Sequence, residues 1–325
     1  MNKDKIQQIR ERGDNLTTFE PQKEENKSYS KAKTQDFLNG KKLVILIHGF
    51  TSHGDYMGEE LALFLHNQDY QVFFFNYNSP RGILAAVNTL KGILKRYDDL
   101  INEEISRKKV FLIAHSMGGL VARRFAIDND AKKFVRGIVM LGTPNDGVLN
   151  RLQKKDVKKI TQILIGYAEF LGQAAFPKAA LAGCLATKEL LKFDKNENES
   201  IIDILNNDWC QACELSPTLS VSGGKNFLEF GKSTLINQLN NTLIQQLIGN
   251  ENNDGIVTEN SVNMTTLLTL RCTHERYKHC NSYEGYSEIN HNNIHLNQIV
   301  ILEILNWLSE QNDQRSRQEL EAKIQ

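Results

Sequence analysis

Apolar residues in this chain gather in short runs, unbroken at residues 43–47, 72–75 and 110–114 and interrupted by Arg136 at 135–141. A run without polar alternation needs cover on both faces, so each predicts a central parallel strand rather than a half-exposed one. Between the runs, helical spacing appears at residues 56–65, 84–105 and 120–127. Strands alternating with helices in this way predict an α/β fold: a doubly wound, mostly parallel sheet with right-handed crossovers. After a long interruption the alternation resumes. A short strand is expected at residues 218–222, a helix at 235–247, a last strand at 264–270, and a closing helix that buries Val300 and Ile304.

The interruption is itself informative. Val157, Ile160, Leu164, Tyr167 and Leu171 fall on one helix face, widened by Ile163 and Phe170, and Leu181, Leu185 and Leu191 continue a second helical piece. This predicts a helical cap, residues 150–214, inserted over the C-terminal edge of a sheet core formed by residues 41–149 and 215–310. Residues 1–40 are polar and charge-dense, with one short helix at 4–12, and read as an extension that buries too little to order itself. Residues 311–325 read as a charged tail.

Charge changes this picture only by exclusion. Lys plus Arg and Asp plus Glu both number 39 among 325 residues, so no global field draws the chain to nucleic acid. No signal-like or membrane-spanning apolar stretch is visible, and the five Cys without a leader point to a reducing, cytoplasmic setting.

The candidate chemistry sits where the third apolar run ends. Val110-Phe111-Leu112-Ile113-Ala114-His115-Ser116-Met117-Gly118-Gly119-Leu120-Val121 reads as strand, sharp turn and helix. A serine in such a turn is lifted clear of the sheet, with free N–H groups at the helix start beside it. Ala114 and Gly118 flank it because larger side chains would collide as strand and helix cross. The bland alternative is an ordinary strand-to-helix connection with a solvent-facing serine.

Ala114-His115-Ser116-Met117-Gly118 resembles the nucleophile elbow, G-x-S-x-G, of the α/β-hydrolase superfamily serine lipases and esterases. In some small bacterial triacylglycerol lipases Ala replaces the first Gly, and GPI inositol-deacylase-like serine esterases are also similar. The resemblance extends to His48-Gly49-Phe50 after the first strand, Gly142-Thr143-Pro144 after the strand following the elbow, and Asn253-Asp254-Gly255-Ile256-Val257. It implies Ser116 as nucleophile, Asp254 as triad acid, a late histidine as base, and backbone N–H groups of Phe50 and Met117 as the oxyanion hole. His48 would shape its turn. Asp146 reads as a turn residue, and Asp254 before Gly could equally mark a hairpin.

His274, His279, His291 and His295 all follow the acid in the family's order. His291 is preferred, because the base precedes a final helix and the spacing to Val300 and Ile304 suits that; His295 is the reserve, and His274 and His279 fall in a hydrophilic loop. The implied substrate is an acyl ester or lipid, met through the cap or by transient contact with a lipid surface, and no metal or organic cofactor is called for. An acyltransferase or thioesterase would use the same residues, and a catalytically silent hydrolase-fold binder would keep the fold alone. A second constellation is Cys210-Gln211-Ala212-Cys213 with Cys272, His274, His279 and Cys280. Reduced thiols come first for it, zinc second and disulfides third. Cys184 reads as packing in the cap.

Overall fold

The computed structural model describes residues 14–21, 28–50, 52–148, 185–190, 200–212, 215–225, 242, 251–264, 277–280 and 288–324. In chain order the strands are β1 (Asn15–Glu20), β2 (Ser28–Lys31), β3 (Lys42–Ile47), β4 (Tyr70–Asn76), β5 (Val110–His115), β6 (Val135–Leu141), β7 (Thr218–Val221) and β8 (Tyr277–Cys280). The α-helices are α1 (Thr34–Leu38), α2 (Glu59–Asn67), α3 (Ile83–Leu100), α4 (Glu104–Lys108), α5 (Met117–Ile127), α6 (Leu185–Glu189), α7 (Ile201–Gln211), α8 (Glu259–Val262) and α9 (Gln298–Ile324).

The strands form one eight-stranded sheet in the order β2-β1-β4-β3-β5-β6-β7-β8. From β4 through β8 every pairing is parallel, and β1 is antiparallel to both of its neighbours. Each central strand buries both faces, which is why apolar residues fill successive positions along it. Ile45, Leu112, Ile138 and Met140 pack with Leu90 and Leu94 of α3 and Val121 and Phe125 of α5. On the other face Val44, Leu46, Phe111 and Ile113 meet Leu61 and Leu65 of α2 and Val300, Ile304 and Trp307 of α9. The chain order reverses between β3 and β5, and a crevice outside the C-terminal ends of those strands is where such sheets take ligands.

Four expectations need correction. The first is that residues up to 40 stay outside the core. From Asn15 onward they do not, because Leu16, Phe19 and Phe37 are buried and Phe37 stacks on Phe73 at 4.5 Å. Sparse apolar residues suffice when a sheet edge supplies the backbone partners, here Leu16 to Thr18 against Phe73 to Phe75. The expected helix at 4–12 lies outside the described residues.

The second is the single helix over residues 84–105. It is broken between α3 and α4, where Asn102 and Glu103 take φ of 54° and 62°. The third is the last strand. Met264 is not in a strand and residues 265–270 lie outside the described ones, while Tyr277–Cys280, expected in a loop, forms β8. The Tyr277 hydroxyl pairs with Ser220 Oγ at 2.8 Å, and the exposed Lys278 pairs with Glu303 at 2.7 Å. A charged four-residue strand suits a sheet edge, since it discourages further pairing. The fourth is the C-terminal tail, which continues α9 to Ile324.

Between β6 and β7 the described residues include two helices, α6 and α7, and no strand. The apolar positions expected on the cap helices before residue 185, Leu191, and the helix at 235–247 apart from Thr242 lie outside them. Leu185 opens α6 and is exposed. Both pieces are fastened to the core. Glu189, last in α6, accepts the Ile83 N–H at the start of α3 at 2.6 Å. The buried Arg123 of α5 donates to Asn206 of α7 at 2.8 Å and lies 5.0 Å from the ring of Trp209.

Lys109, which links α4 to β5, adopts φ 61° and ψ 158°. That region is essentially confined to glycine and costs other residues ~1–3 kcal/mol. Lys109→Gly is therefore expected to raise stability by about 1 kcal/mol after glycine's greater unfolded-state entropy is set against the relief. A higher urea midpoint at unchanged slope would show this.

Candidate active site

β5 ends at His115, and Ser116 follows as the residue before α5, with φ 53° and ψ −127°. A non-glycine residue held there is strained, and a strain kept at the end of a fully buried strand marks a position the surrounding structure enforces. The ladder continues through the turn, since Ser116 N–H donates to Leu141 O at 2.9 Å. The Ser116 hydroxyl is thereby fixed at the C-terminal edge of the sheet, beside the reversal in strand order.

His291 precedes α9 by a short turn and meets that hydroxyl: its Nε2 lies 2.9 Å from Ser116 Oγ. Its Nδ1 lies 2.7 Å from Asp254 Oδ2, with both side chains 1% exposed. Asp254 follows β7, the penultimate strand. Its other oxygen, Oδ1, accepts the N–H groups of Ile256 and Val257 at 3.1 and 2.8 Å, so the carboxylate is oriented by its own turn. The ring tautomer follows from these partners. A carboxylate only accepts, so Nδ1 carries the proton and Nε2 is left to accept from the serine.

Asp254 and His291 pack directly on the end of β6. A Cβ on Gly142, where φ is 55°, would stand 2.9 Å from Asp254 Oδ2 and 3.0 Å from His291 Nδ1. Only a glycine both tolerates that dihedral and leaves room for the pair.

The loop after β3 lies beside Ser116. A Cβ on Gly49 would be 2.9 Å from Ser116 Cβ, which brings the Gly49-Phe50 backbone alongside Ser116. Met117 is the first residue of α5, where a helix has no internal partner for its N–H. His48 is buried and holds the loop: its Nδ1–H donates to Gly49 O at 2.8 Å, and Tyr77 donates its hydroxyl to His48 O at 2.8 Å. Burial lowers the His48 pKa to about 3, so this ring is neutral and structural.

The reserve base, His295, is brought into the same cluster but not to the hydroxyl. Its ring packs on Tyr56 at 4.7 Å and on His115 at 5.1 Å, and burial lowers its pKa to about 4. His274 lies outside the described residues, and His279 is in strand β8 rather than a loop. Asp146 is a turn residue, its N–H donating to Ser261 Oγ at 3.1 Å. Cys210 sits half-buried against the core on α7; Cys184, Cys213 and Cys272 lie outside the described residues. Among the described residues no group of three or more His, Cys, Asp and Glu could hold a metal ion.

Two buried residues were not singled out by the sequence. His115 donates Nε2–H to His291 O at 2.8 Å. Arg123, its pKa lowered to about 9 by burial, ties the Gly142-Thr143-Pro144-Asn145 loop to α5 by donating to Asn145 Oδ1 at 3.1 Å. The available signal was a polar residue closing an apolar strand in one case and a cation on the inner face of an apolar helix in the other.

A family model described as serine aminopeptidase, S33, matches residues 39–165, which take in β3 through β6 and the elbow. An uncharacterized protein of Saccharomyces cerevisiae is 34% identical over 79 residues, a match that spans 24% of this chain and 11% of that protein. Among solved structures, a Bacillus licheniformis lipase in mature form aligns over 90% of this chain and 97% of its own with a TM-score of 0.54 and 15% identity. A Pyrococcus furiosus esterase aligns over 97% of this chain and 94% of its own with a TM-score of 0.51 and 15% identity. The sheet order, the elbow and these likenesses agree: the chain has an α/β-hydrolase fold.

Proposed function

We propose that this protein is a serine hydrolase that cleaves carboxylic esters, with acyl or lipid esters as its substrate class, through an acyl-serine intermediate. The observation that carries the reading is the unbroken chain of hydrogen bonds from Ser116 Oγ through His291 to Asp254, at 2.9 and 2.7 Å. A serine hydroxyl is a weak nucleophile at neutral pH, and a neutral imidazole aligned on it takes the proton as the new C–O bond forms. Asp254 keeps the imidazole in the accepting tautomer and stabilises the imidazolium. The Phe50 and Met117 N–H groups receive the oxyanion, and losing one such donor costs roughly 3 kcal/mol of barrier. His291 then returns its proton to the leaving alcohol. A water molecule, deprotonated by the same imidazole, releases the acid. The scheme calls on no metal or organic cofactor.

The family description suggests a competing substrate, an amide at a peptide N-terminus, which the same three residues could attack. An acyltransferase would replace the water by an alcohol, and a thioesterase would act on a thioester. A silent binder would have no use for a strained serine aligned on an imidazole that is itself held by a carboxylate, which weighs against that reading.

A fluorophosphonate probe tests the proposal. It is expected to label the wild-type protein at Ser116, located by peptide mass, and a panel of esters of graded acyl length beside aminoacyl amides then ranks the substrates. Absence of labelling, or labelling confined to another residue, would remove the proposal. Faster turnover of the amides would keep the nucleophile and replace the substrate class.

A further inference from the structure

We propose that His115, the residue preceding the nucleophile, is a positioning residue that fixes the base through its main chain. The inference rests on the serine-hydrolase reading and adds to it. His291 is held at its backbone as well as at its ring: its N–H donates to Asp254 O at 2.8 Å, and its carbonyl accepts from His115 Nε2 at 2.8 Å. Adjacent residues of the elbow therefore grip the same histidine at opposite ends, His115 at the carbonyl and Ser116 at Nε2. Asp254 likewise contacts it twice, at the backbone and at Nδ1.

A ring that rotates about Cα–Cβ and Cβ–Cγ is placed only as well as the backbone that carries it. His291 lies in a turn before α9 rather than in a regular element, so neither a helix nor a sheet ladder locates its peptide groups. The bond from His115 supplies the missing restraint, and it comes from the last residue of β5, the strand that also positions the nucleophile. Base and nucleophile are thereby referred to one rigid element, which proximity catalysis requires.

The chemistry of His115 suits this role and excludes others. A carbonyl only accepts, so Nε2 of His115 carries the proton and Nδ1 is bare. Burial, with His291 and His295 close by, holds its pKa well below the usual histidine value, so the ring is neutral at working pH. Its centroid lies 4.8 Å from that of His291. A second cation at that distance would oppose formation of the imidazolium; a neutral donor does not.

The test compares His115→Leu, which removes the donor, with His115→Gln, whose side-chain amide can place an N–H near the same point. For His115→Leu the fluorophosphonate labelling rate and kcat for a soluble ester are expected to fall ~10–100-fold, with KM within about 3-fold, as when a supporting hydrogen bond is lost. His115→Gln should recover all but about 5-fold of both. The low-field Nδ1–H proton resonance of His291 should persist in wild type and His115→Gln and exchange away in His115→Leu. Equal rates in all three proteins, or equal impairment of two folded variants, would overturn the role. Should His115→Leu fail to fold, the ¹⁵N shifts of His115 in the wild-type protein decide: a protonated Nε2 supports the role and a bare one ends it. Wild-type protein that takes no label removes the hydrolase reading instead, and leaves the ¹⁵N measurement readable.

Discussion

Ser116→Ala and His291→Ala are each expected to lower kcat/KM for a soluble ester roughly 10⁴-fold or more, and the double variant should fall no further. The proposed nucleophile and base act as a unit. Without the imidazole the hydroxyl keeps its proton, and without the hydroxyl the imidazole has nothing to activate on the enzyme. What remains in either case is the oxyanion donors and substrate binding, so the single and double variants reach one floor. His295→Ala supplies the contrast, because that ring packs on Tyr56 and His115 and makes no bond to Ser116 Oγ. Its activity is expected to stay within about 10-fold of wild type, the loss coming from the altered packing beneath the site. Initial rates on one ester, with folding checked by circular dichroism, are sufficient. An inactive His295→Ala beside an active His291→Ala would reverse the assignment of the base.

Gly118→Ala is expected to destabilise the protein by about 3 kcal/mol and to impair hydrolysis in the molecules that remain folded. A Cβ at this position would meet His48 O at 2.5 Å and Ile47 O at 2.6 Å. Both obstacles are main-chain oxygens, which no rotamer change can move aside. Relief requires displacement of either α5 or the end of β3, and the latter carries the Gly49-Phe50 loop. Stability and oxyanion geometry therefore suffer together. Gly92→Ala, in α3, is the control: a Cβ there meets nothing within 4 Å, so the exchange should stabilise by ~0.5–1 kcal/mol through helix propensity. Urea unfolding of the two variants beside wild type measures both effects. A Gly118→Ala protein as stable and active as wild type would mean that strand and helix do not cross as closely as described.

The central strands were legible because burial on both faces leaves an unmistakable mark, and residues 135–141 agree with β6 at both ends. The elbow was legible for a different reason: steric crowding confines its flanking positions to small residues, as Gly118 illustrates. The edge elements were not. β1 owes its place to backbone pairing with β4 and to a few apolar side chains such as Leu16 and Phe19, so composition alone made its segment look detached. β8 has four residues, one of them the exposed Lys278, and its partner strand lies far away in sequence. The break between α3 and α4 turns on left-handed residues, Asn102 and Glu103, that interrupt an otherwise continuous apolar pattern. At the site, the elbow motif pointed to Ser116, chain order to Asp254, and the spacing to the closing helix to His291 among four late histidines. His115 escaped notice because its bond reaches the carbonyl of a residue 176 positions on, a relation no local pattern records.

That separation has a consequence for synthesis. Ser116 and His291 stand 175 residues apart, with β6, β7 and β8 laid down between them. A ribosome releases the strained serine long before it releases the imidazole, so an emerging chain carries an inert hydroxyl until its final quarter has docked. Under the proposed mechanism, reactivity toward a fluorophosphonate thus doubles as a timer of the docking of the segment that carries His291.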